Sequence, residues 1–318
     1  MKISGFTFAK NATKLYFPIS ESVLSILPIV DEFIIVLGDC DEDDQTEELI
    51  EQLGSDKIKI IHSVWDKVKY PDNTVYAQQT DLAKSNCSGD WLFYLQSDEV
   101  IHDNDLIKIR SACEKYFTDK EVEGLILKFR HFWGDYDHYF NAHSWYSKEI
   151  RLVRNLPEIH SWRDAQSFRV YNTFNEDKIE YLKREGTRKL KVAEVDAYVY
   201  HYGWVRPPEL MRRKAKISNP LWSRKMKLDQ HLTEVLVDFD YGPLDKLERF
   251  KGSHPSLMKD WISAFDWKDQ LQYSGPRNSN RPAFKHEMLK YRILSSIENK
   301  FLGGRRIGGF KNYKSIRT

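Results

Sequence analysis

Two hydrophobic periods alternate along the first hundred residues, and this restricts the fold more than any other feature. Phe33-Ile34-Ile35-Val36-Leu37 is an unbroken apolar run of strand length, and Trp91–Leu95 is another. A strand apolar at every position must be covered on both faces, which is the situation inside a parallel sheet flanked by helices. Between these runs the pattern predicts helices at Ser20–Leu27 (Ser20 as N-cap, Pro28 as stop), Gln45–Leu53 and Thr74–Ser85. Ile3–Phe8 and Ile58–Ile61 complete the predicted strands. A β-α-β-α-β-α-β order implies parallel strands joined by right-handed crossovers. Ligands on such sheets sit beyond the carboxyl ends of the strands, so function is expected after Phe8, Leu37 and Leu95. Further on, Gly124–Phe129 and Val195–Tyr200 read as strands. His131–Arg169, dense in aromatic and charged residues, reads as loops around a site. Pro207-Pro208 opens a basic helix towards Ile217.

The 318 residues suffice for one large domain and a smaller one, and 41% hydrophobic with 30% charged residues is a globular balance. Aromatic residues make up 14%; most are expected in the core, and a few could face a sugar, whose apolar side stacks on a ring. The net charge of +2 hides an asymmetry: residues 1–56 carry three basic and twelve acidic side chains, while residues 275–318 carry eleven basic and two acidic ones. Cys40, Cys87 and Cys113 lack metal-site spacing, and an odd number argues against a disulfide framework. With no signal-peptide layout and no apolar stretch of spanning length, a cytoplasmic location is expected. The glycosylation triplets at Asn11 and Asn86 are therefore taken as chance.

Four places could carry chemistry. At Gln96-Ser97-Asp98-Glu99 a buried strand runs directly into carboxylates, which can share Mg²⁺ or Mn²⁺ with a diphosphate. The bland reading makes Asp98 the cap of a helix over residues 104–116. The acidic cluster Asp39, Asp41, Glu42, Asp43 and Asp44 follows the second strand; most of it is expected to serve the start of the next helix, with Asp39 left for a nucleotide. Asp164, in the aperiodic region, is a candidate general base, against a surface ion pair with Arg163 or Arg169. His201 ends a strand and is a candidate metal ligand, against a buried histidine bonded to backbone. No phosphate-binding G-x-x-x-x-G-K-[ST] loop, G-x-G-x-x-G turn or G-x-S-x-G elbow is present.

Taken in order, Ile3–Ala12, Val30–Val36, Gly89–Glu99, Lys148–Arg154 and His201–Trp204 resemble a bacterial family 2 glycosyltransferase over residues 1–220. The resemblance implies an α/β fold of the GT-A type, Rossmann-like with a mostly parallel central sheet, followed by a mainly helical and basic extension over residues 221–318. It implies a metal-dependent, inverting transfer of a sugar, a hexose by expectation, from a nucleotide-diphosphate donor to an acceptor hydroxyl. A glycan or glycolipid acceptor, and a role in cell-surface polysaccharide or glycolipid synthesis, are the corresponding expectations. Phe8, Lys10, Asn11 and Asp39 are implied to contact the nucleotide. The family's Asp-x-Asp motif falls on Gln96-Ser97-Asp98, with Asp98 and His201 as ligands to Mn²⁺ or Mg²⁺ and Asp164 as the base. Gln96 departs from the pattern; its amide can still bond a ribose hydroxyl, and the change bears on metal affinity rather than on fold.

Two rivals follow. A nucleotide-sugar-binding protein without turnover is raised by Gln96. A nucleotidyltransferase is disfavoured because Ala9–Lys14 is not a glycine-rich basic loop. Nucleic acid is not an expected partner, and the oligomeric state is open. At the C-terminus Phe284, Met288, Tyr291, Leu294, Ile297 and Phe301 recur at helical spacing, with Lys285, Lys290, Arg292 and Lys300 elsewhere on the turn. Such a helix either packs on the catalytic domain, the favoured expectation, or lies on the inner face of the plasma membrane.

Overall fold

The computed structural model describes residues 1–143, 145–214, 239–304, 306–309 and 311–316. The chain forms two compact units: Met1–Lys128 with Lys148–Val199 and Asn312–Thr318, and Phe129–Ser147 with Tyr200–Lys311. The expected boundary at 220/221 lies outside the described residues, as does the end of the basic helix that starts at Pro208.

The first unit holds the predicted strand–helix alternation. Its elements are β1 (Ile3–Ala9), α1 (Ile19–Ile26), β2 (Glu32–Leu37), α2 (Thr46–Glu51), β3 (Ile58–His62), α3 (Thr74–Ser85) and β4 (Trp91–Tyr94). After these come β5 (Glu99–Ile101) and α4 (Leu106–Lys115). Strand β1 pairs in parallel with β2 and β4, and β2 pairs in parallel with β3. The sheet continues past β4 with antiparallel neighbours, β8 (Lys148–Arg154) and then β6 (Gly124–Phe132). A parallel sheet between helices, with antiparallel strands added at one side, is the Rossmann-like GT-A arrangement.

Side-chain alternation explains the all-apolar strands. Phe6, Ile34, Val36, Leu92 and Tyr94 enter one core cluster, and the alternate residues Phe33, Ile35 and Phe93 are equally buried on the other face. Helix α3 packs against β1, β2 and β9 (Ile159–Trp162). The helix predicted at Ser20 begins one residue earlier, with Pro18 at the cap position and no side-chain cap bond. Proline at such a start costs no helical hydrogen bond, since the first N–H groups have no intrahelical acceptor.

A hairpin of β9 and β10 (Ser167–Tyr171) leans on α3 through Asp81, which accepts from Ser161 N at 2.7 Å and bonds His160 Nδ1 at 2.8 Å. Helix α5 (Lys178–Leu182) and β11 (Thr187–Arg188) follow, then the long β12 (Leu190–His201). In the second unit β7 (His138–Phe140) pairs with the end of β6, and β13 (Glu248–Arg249) pairs with β7. The helix α6 (Leu289–Phe301) closes that unit, and β14 (Tyr313–Ser315) returns to pair in parallel with Leu190–Val192.

One buried ion pair ties the first unit together. Glu99 and Arg151 are both inaccessible to solvent and meet bidentately, with Nη2–Oε1 at 2.5 Å and Nε–Oε2 at 2.7 Å. Taking either charge out of water alone costs several kcal/mol, so each depends on the other. Arg151→Ala should destabilise the protein by about 3–5 kcal/mol, the usual cost of stranding a buried charge. Urea unfolding followed by far-UV circular dichroism measures it; a loss within error of zero would show that the pair is not structural.

Candidate functional site

The carboxyl ends of β1 and β2 lie side by side because Ala9 and Leu37 are register partners. Lys10 and Asp39 follow them directly and form an ion pair at 2.7 Å. Asp39 Oδ1 also accepts from Trp65 N at 3.0 Å. Burial pushes the Asp39 carboxyl up, but Lys10 and the Trp65 N–H outweigh it and hold the group below its usual range. Beneath this pair Phe8 stacks on Tyr76 (5.7 Å between ring centres), and Trp65 meets both rings at 5.8 and 5.4 Å. Gly38 makes the closure possible: a Cβ there would lie 2.4 Å from Trp65 Nε1. That indole N–H is buried and has no hydrogen-bond partner among the described residues.

The rest of the acidic cluster has other work. Asp44 caps the backbone N–H of Thr46 at 3.0 Å and bonds Thr13, while Asp41 and Asp43 pair with Lys14. Asn11, in the left-handed region at φ 53°, binds the next loop through Asp41 N at 2.8 Å. Of the cluster, Asp44 serves the start of α2, as expected of most of these residues, whereas Asp41 and Asp43 pair with Lys14 and Asp39 pairs with Lys10.

At the end of β4 the chain turns through Leu95-Gln96-Ser97-Asp98 into β5. Asp98 is not a helix cap; α4 begins at Leu106, and His102 provides the side-chain cap for the short turn before it. Five side-chain contacts fix the turn. Ser22 Oγ donates to Gln96 O at 2.9 Å, Ser97 Oγ donates to Phe8 O at 3.3 Å, and Gln96 N donates to Glu99 Oε2 at 3.2 Å. The Gln96 amide reaches Tyr94 Oη at 3.3 Å and Ala165 O at 3.5 Å. Ser97 therefore touches the β1 loop and Gln96 touches the hairpin.

Asp164 stands in the four-residue loop between Trp162 and Ser167, which are register partners in the β9–β10 hairpin. Its neighbours Arg163 and Ala165 both have positive φ, 61° and 60°. Non-glycine residues in that region cost about 1–3 kcal/mol each and persist only where surroundings enforce them. Here Arg163 N donates to Tyr181 O at 2.8 Å, and Arg151 Nη1 donates to Gln166 O at 3.2 Å. No ion pair of Asp164 is found among the described residues: Arg163 lies over the Trp162 ring at 4.3 Å, and Arg169 bonds Thr187 and Asn312. Burial raises the Asp164 carboxyl above its usual range, with Arg163 and backbone N–H groups only partly opposing. The Asp164 charge is also felt by Tyr76, which burial first and Asp164 second push up to about 12. The hairpin carboxylate and the aromatic floor under Lys10 and Asp39 thus share one region of the first unit.

His201 belongs to the second unit. It is buried, and its Nδ1 lies 3.0 Å from His131 Nδ1, while His131 Nε2 bonds Tyr146 O at 2.9 Å. His201 is thus a buried histidine with an imidazole among its partners. Among the described residues no group of three or more His, Cys, Asp or Glu side chains is arranged to hold a metal ion.

Sequence reasoning passed over Trp65, Tyr76, Glu149 and the Glu99–Arg151 pair. Trp65 and Tyr76 sit in segments with no motif, and only the fold brings them under Phe8. Glu149, on β8, is buried, and its Oε1 accepts from Ser167 Oγ at 2.8 Å and Ile150 N at 2.9 Å. A charged residue alternating with Ile150 and Leu152 was the available signal.

No protein-family model matches the chain, and no curated protein sequence matches it. Solved structures that it resembles include S. aureus TarS, at 17% identity over 74% of this chain and 42% of that one, with a TM-score of 0.38. S. aureus TarS 1-349 in complex with UDP-GlcNAc matches at 16% identity over 69% of this chain and 67% of that one, with a TM-score of 0.36. M. tuberculosis glucosyl-3-phosphoglycerate synthase, in complex with Mn²⁺, UDP and phosphoglyceric acid, matches at 18% identity over 40% and 42%, with a TM-score of 0.28. This chain thus spans less than half of that first TarS chain.

Burial drives the Glu149 carboxyl up to about 7 from an ordinary 4.5. The folded protein therefore keeps a proton that the unfolded chain gives up. The stabilisation is complete below the ordinary value and is lost as pH rises towards the folded one. Glu149→Gln should flatten this dependence, gaining up to about 3 kcal/mol relative to wild type between acid and neutral pH. Urea unfolding across that range tests it; parallel curves for the two proteins would refute the assignment.

Proposed function

We propose that the first unit binds a nucleotide-diphosphate sugar and transfers its sugar to an acceptor hydroxyl, with inversion at the anomeric carbon. The reading is supported above all by the meeting of two loops: Gln96-Ser97-Asp98 at the end of a parallel strand, and the strained turn that carries Asp164, joined through Gln96 and Arg151. Ligands of open parallel sheets bind at such strand ends.

Phe8, Lys10, Asn11 and Asp39 receive the nucleoside, and Gln96 and Ser97 take the ribose side. Asp98, with the donor's own phosphates, would hold Mg²⁺ or Mn²⁺, whose contribution is to neutralise charge on the departing diphosphate. Asp164 accepts the proton of the acceptor hydroxyl. The oxygen forms its bond to the anomeric carbon as the bond to the diphosphate oxygen breaks, and the nucleoside diphosphate leaves with the bonding pair. A base of this kind contributes about 10²–10⁴-fold. Burial suits Asp164 to the role, because a carboxylate with a raised pKa is a better proton acceptor. A glycan or a glycolipid supplies the acceptor hydroxyl.

Asp164→Asn should reduce turnover by about 10²-fold or more while leaving UDP binding by calorimetry unchanged. Normal turnover by this variant would remove Asp164 from the mechanism. For the wild type, kcat/KM should rise with pH through an inflection above the usual carboxylate range, since only the ionised carboxylate accepts a proton; a flat acid limb would count against it. Gln96 in place of a carboxylate favours one second reading, a binding protein without turnover. Metal-linked UDP binding with no transfer from any of the common nucleotide sugars would select that reading.

A further inference from the structure

Helix α6 presents its amphipathicity inside out. The periodicity in the sequence puts Tyr291 and Leu294 with Ile297 and Phe301 on one apolar face. In the structure the helix docks within the second unit largely through polar groups. Ser295 Oγ accepts from His143 N at 2.8 Å, Glu298 Oε1 meets His143 Nδ1 at 2.7 Å, and Asn299 Nδ2 donates to Asn141 O at 2.8 Å. Arg306 and the Ile307 N–H also bind Glu298, which is completely buried. Tyr291 and Leu294 are half-buried at the edges of this contact.

What faces outward is a continuous apolar stripe at four-residue spacing. Leu289 is 67% exposed, Ile293 53%, Ile297 42% and Phe301 78%, and Leu302 and Ile307 extend the exposed apolar surface. Residues four apart on a helix are neighbours, so these side chains form one ridge. The other exposed residues of the helix are Lys290, Arg292, Ser296 and Lys300, with Lys285 just before it. The helix has one acidic residue, Glu298, and it points inward. The outward face is therefore apolar and cationic with no counter-charge. Among the described residues no helix is long and apolar enough to cross a membrane, so a face of this kind could lie on a bilayer but not traverse it.

We propose that this face of α6 docks on an anionic lipid surface. Leu289, Ile293, Ile297 and Phe301 enter the boundary between headgroups and acyl chains. Lys290, Arg292 and Lys300 extend along the helix to lipid phosphates, as long basic side chains do at an interface. Absence of exposed acid on the helix favours a negatively charged surface over a neutral one. Such docking would hold the protein at a membrane surface, independently of the reading of the first unit.

The test uses the full chain in vesicle co-sedimentation, with phosphatidylcholine alone and with phosphatidylcholine and phosphatidylglycerol in equal parts. The wild type should sediment with the mixed vesicles and remain in solution with phosphatidylcholine alone. A variant combining Leu289→Gln, Ile293→Gln and Phe301→Gln should lose this sedimentation. These side chains are exposed, so its circular dichroism should match wild type. A second variant, Lys290→Gln with Arg292→Gln, decides the matter if the first does not fold: its partitioning should weaken roughly thirtyfold, about a factor of five for each basic residue. Wild type that ignores the mixed vesicles, or variants that sediment as well as wild type, would overturn the proposal. So would light scattering that shows a wild-type dimer and a monomeric apolar variant, because a second copy would then cover the stripe.

Discussion

Everything assigned to the first unit depends on the ion pair between Glu99 and Arg151. Glu99 stands just past the Gln96–Asp98 turn, and Arg151 lies on the neighbouring strand β8. The pair is dry, so it survives only because both forks are engaged and the spare groups are satisfied: Gln96 N donates to Glu99, and Arg151 donates to the carbonyls of Ile150 and Gln166. Those extra bonds do the positioning. They fix the turn after β4 from one side and the Asp164 hairpin from the other. A hydrophobic replacement could fill the same volume, but it would carry none of these directional contacts to the two loops.

Around this junction the protein gives two carboxylates opposite characters. Asp39 is exposed and held charged by Lys10 and a backbone N–H, whereas Asp164 is half-buried and pushed towards its neutral form. Opposed environments for neighbouring acids separate a group that binds from one that exchanges a proton. The aromatic floor of Phe8, Trp65 and Tyr76 connects them, since Tyr76 stacks under Phe8 and also senses the charge of Asp164.

The strand–helix alternation was legible because burial on both faces leaves continuous apolar runs, and β1 to β4 lie where those runs are. The antiparallel β6 was read as Gly124–Phe129, but β8 was harder, because Lys148–Arg154 alternates charge with apolar residues and Arg151 and Glu149 turn into the core rather than out. The strand at Val195–Tyr200 is much longer, from Leu190 to His201, because mixed polarity at its start hid it. For the site, Asp39 and Gln96 were readable as residues at strand ends, whereas Asp164 was singled out in a stretch read as loops that in fact holds the β9–β10 hairpin. Trp65 and Tyr76 were not, since nothing local marks a ring whose partner lies far away in the chain. On α6 the sequence period marked a helix but grouped its residues differently: Phe284 and Met288 precede it, Tyr291 and Leu294 are half-buried, and Leu289 and Ile293 join Ile297 and Phe301 at the surface. Periodicity does not tell whether Glu298 and Ser295 will find partners inside.

The turn at Asp164 has a consequence for how far this protein could be altered. Arg163 and Ala165 hold left-handed conformations that suit glycine better than either of them. A glycine at either place would relax the main chain, yet it would also widen the range of directions in which the carboxylate can point. Comfort of the backbone and aim of the side chain pull against each other there. The residues present favour aim.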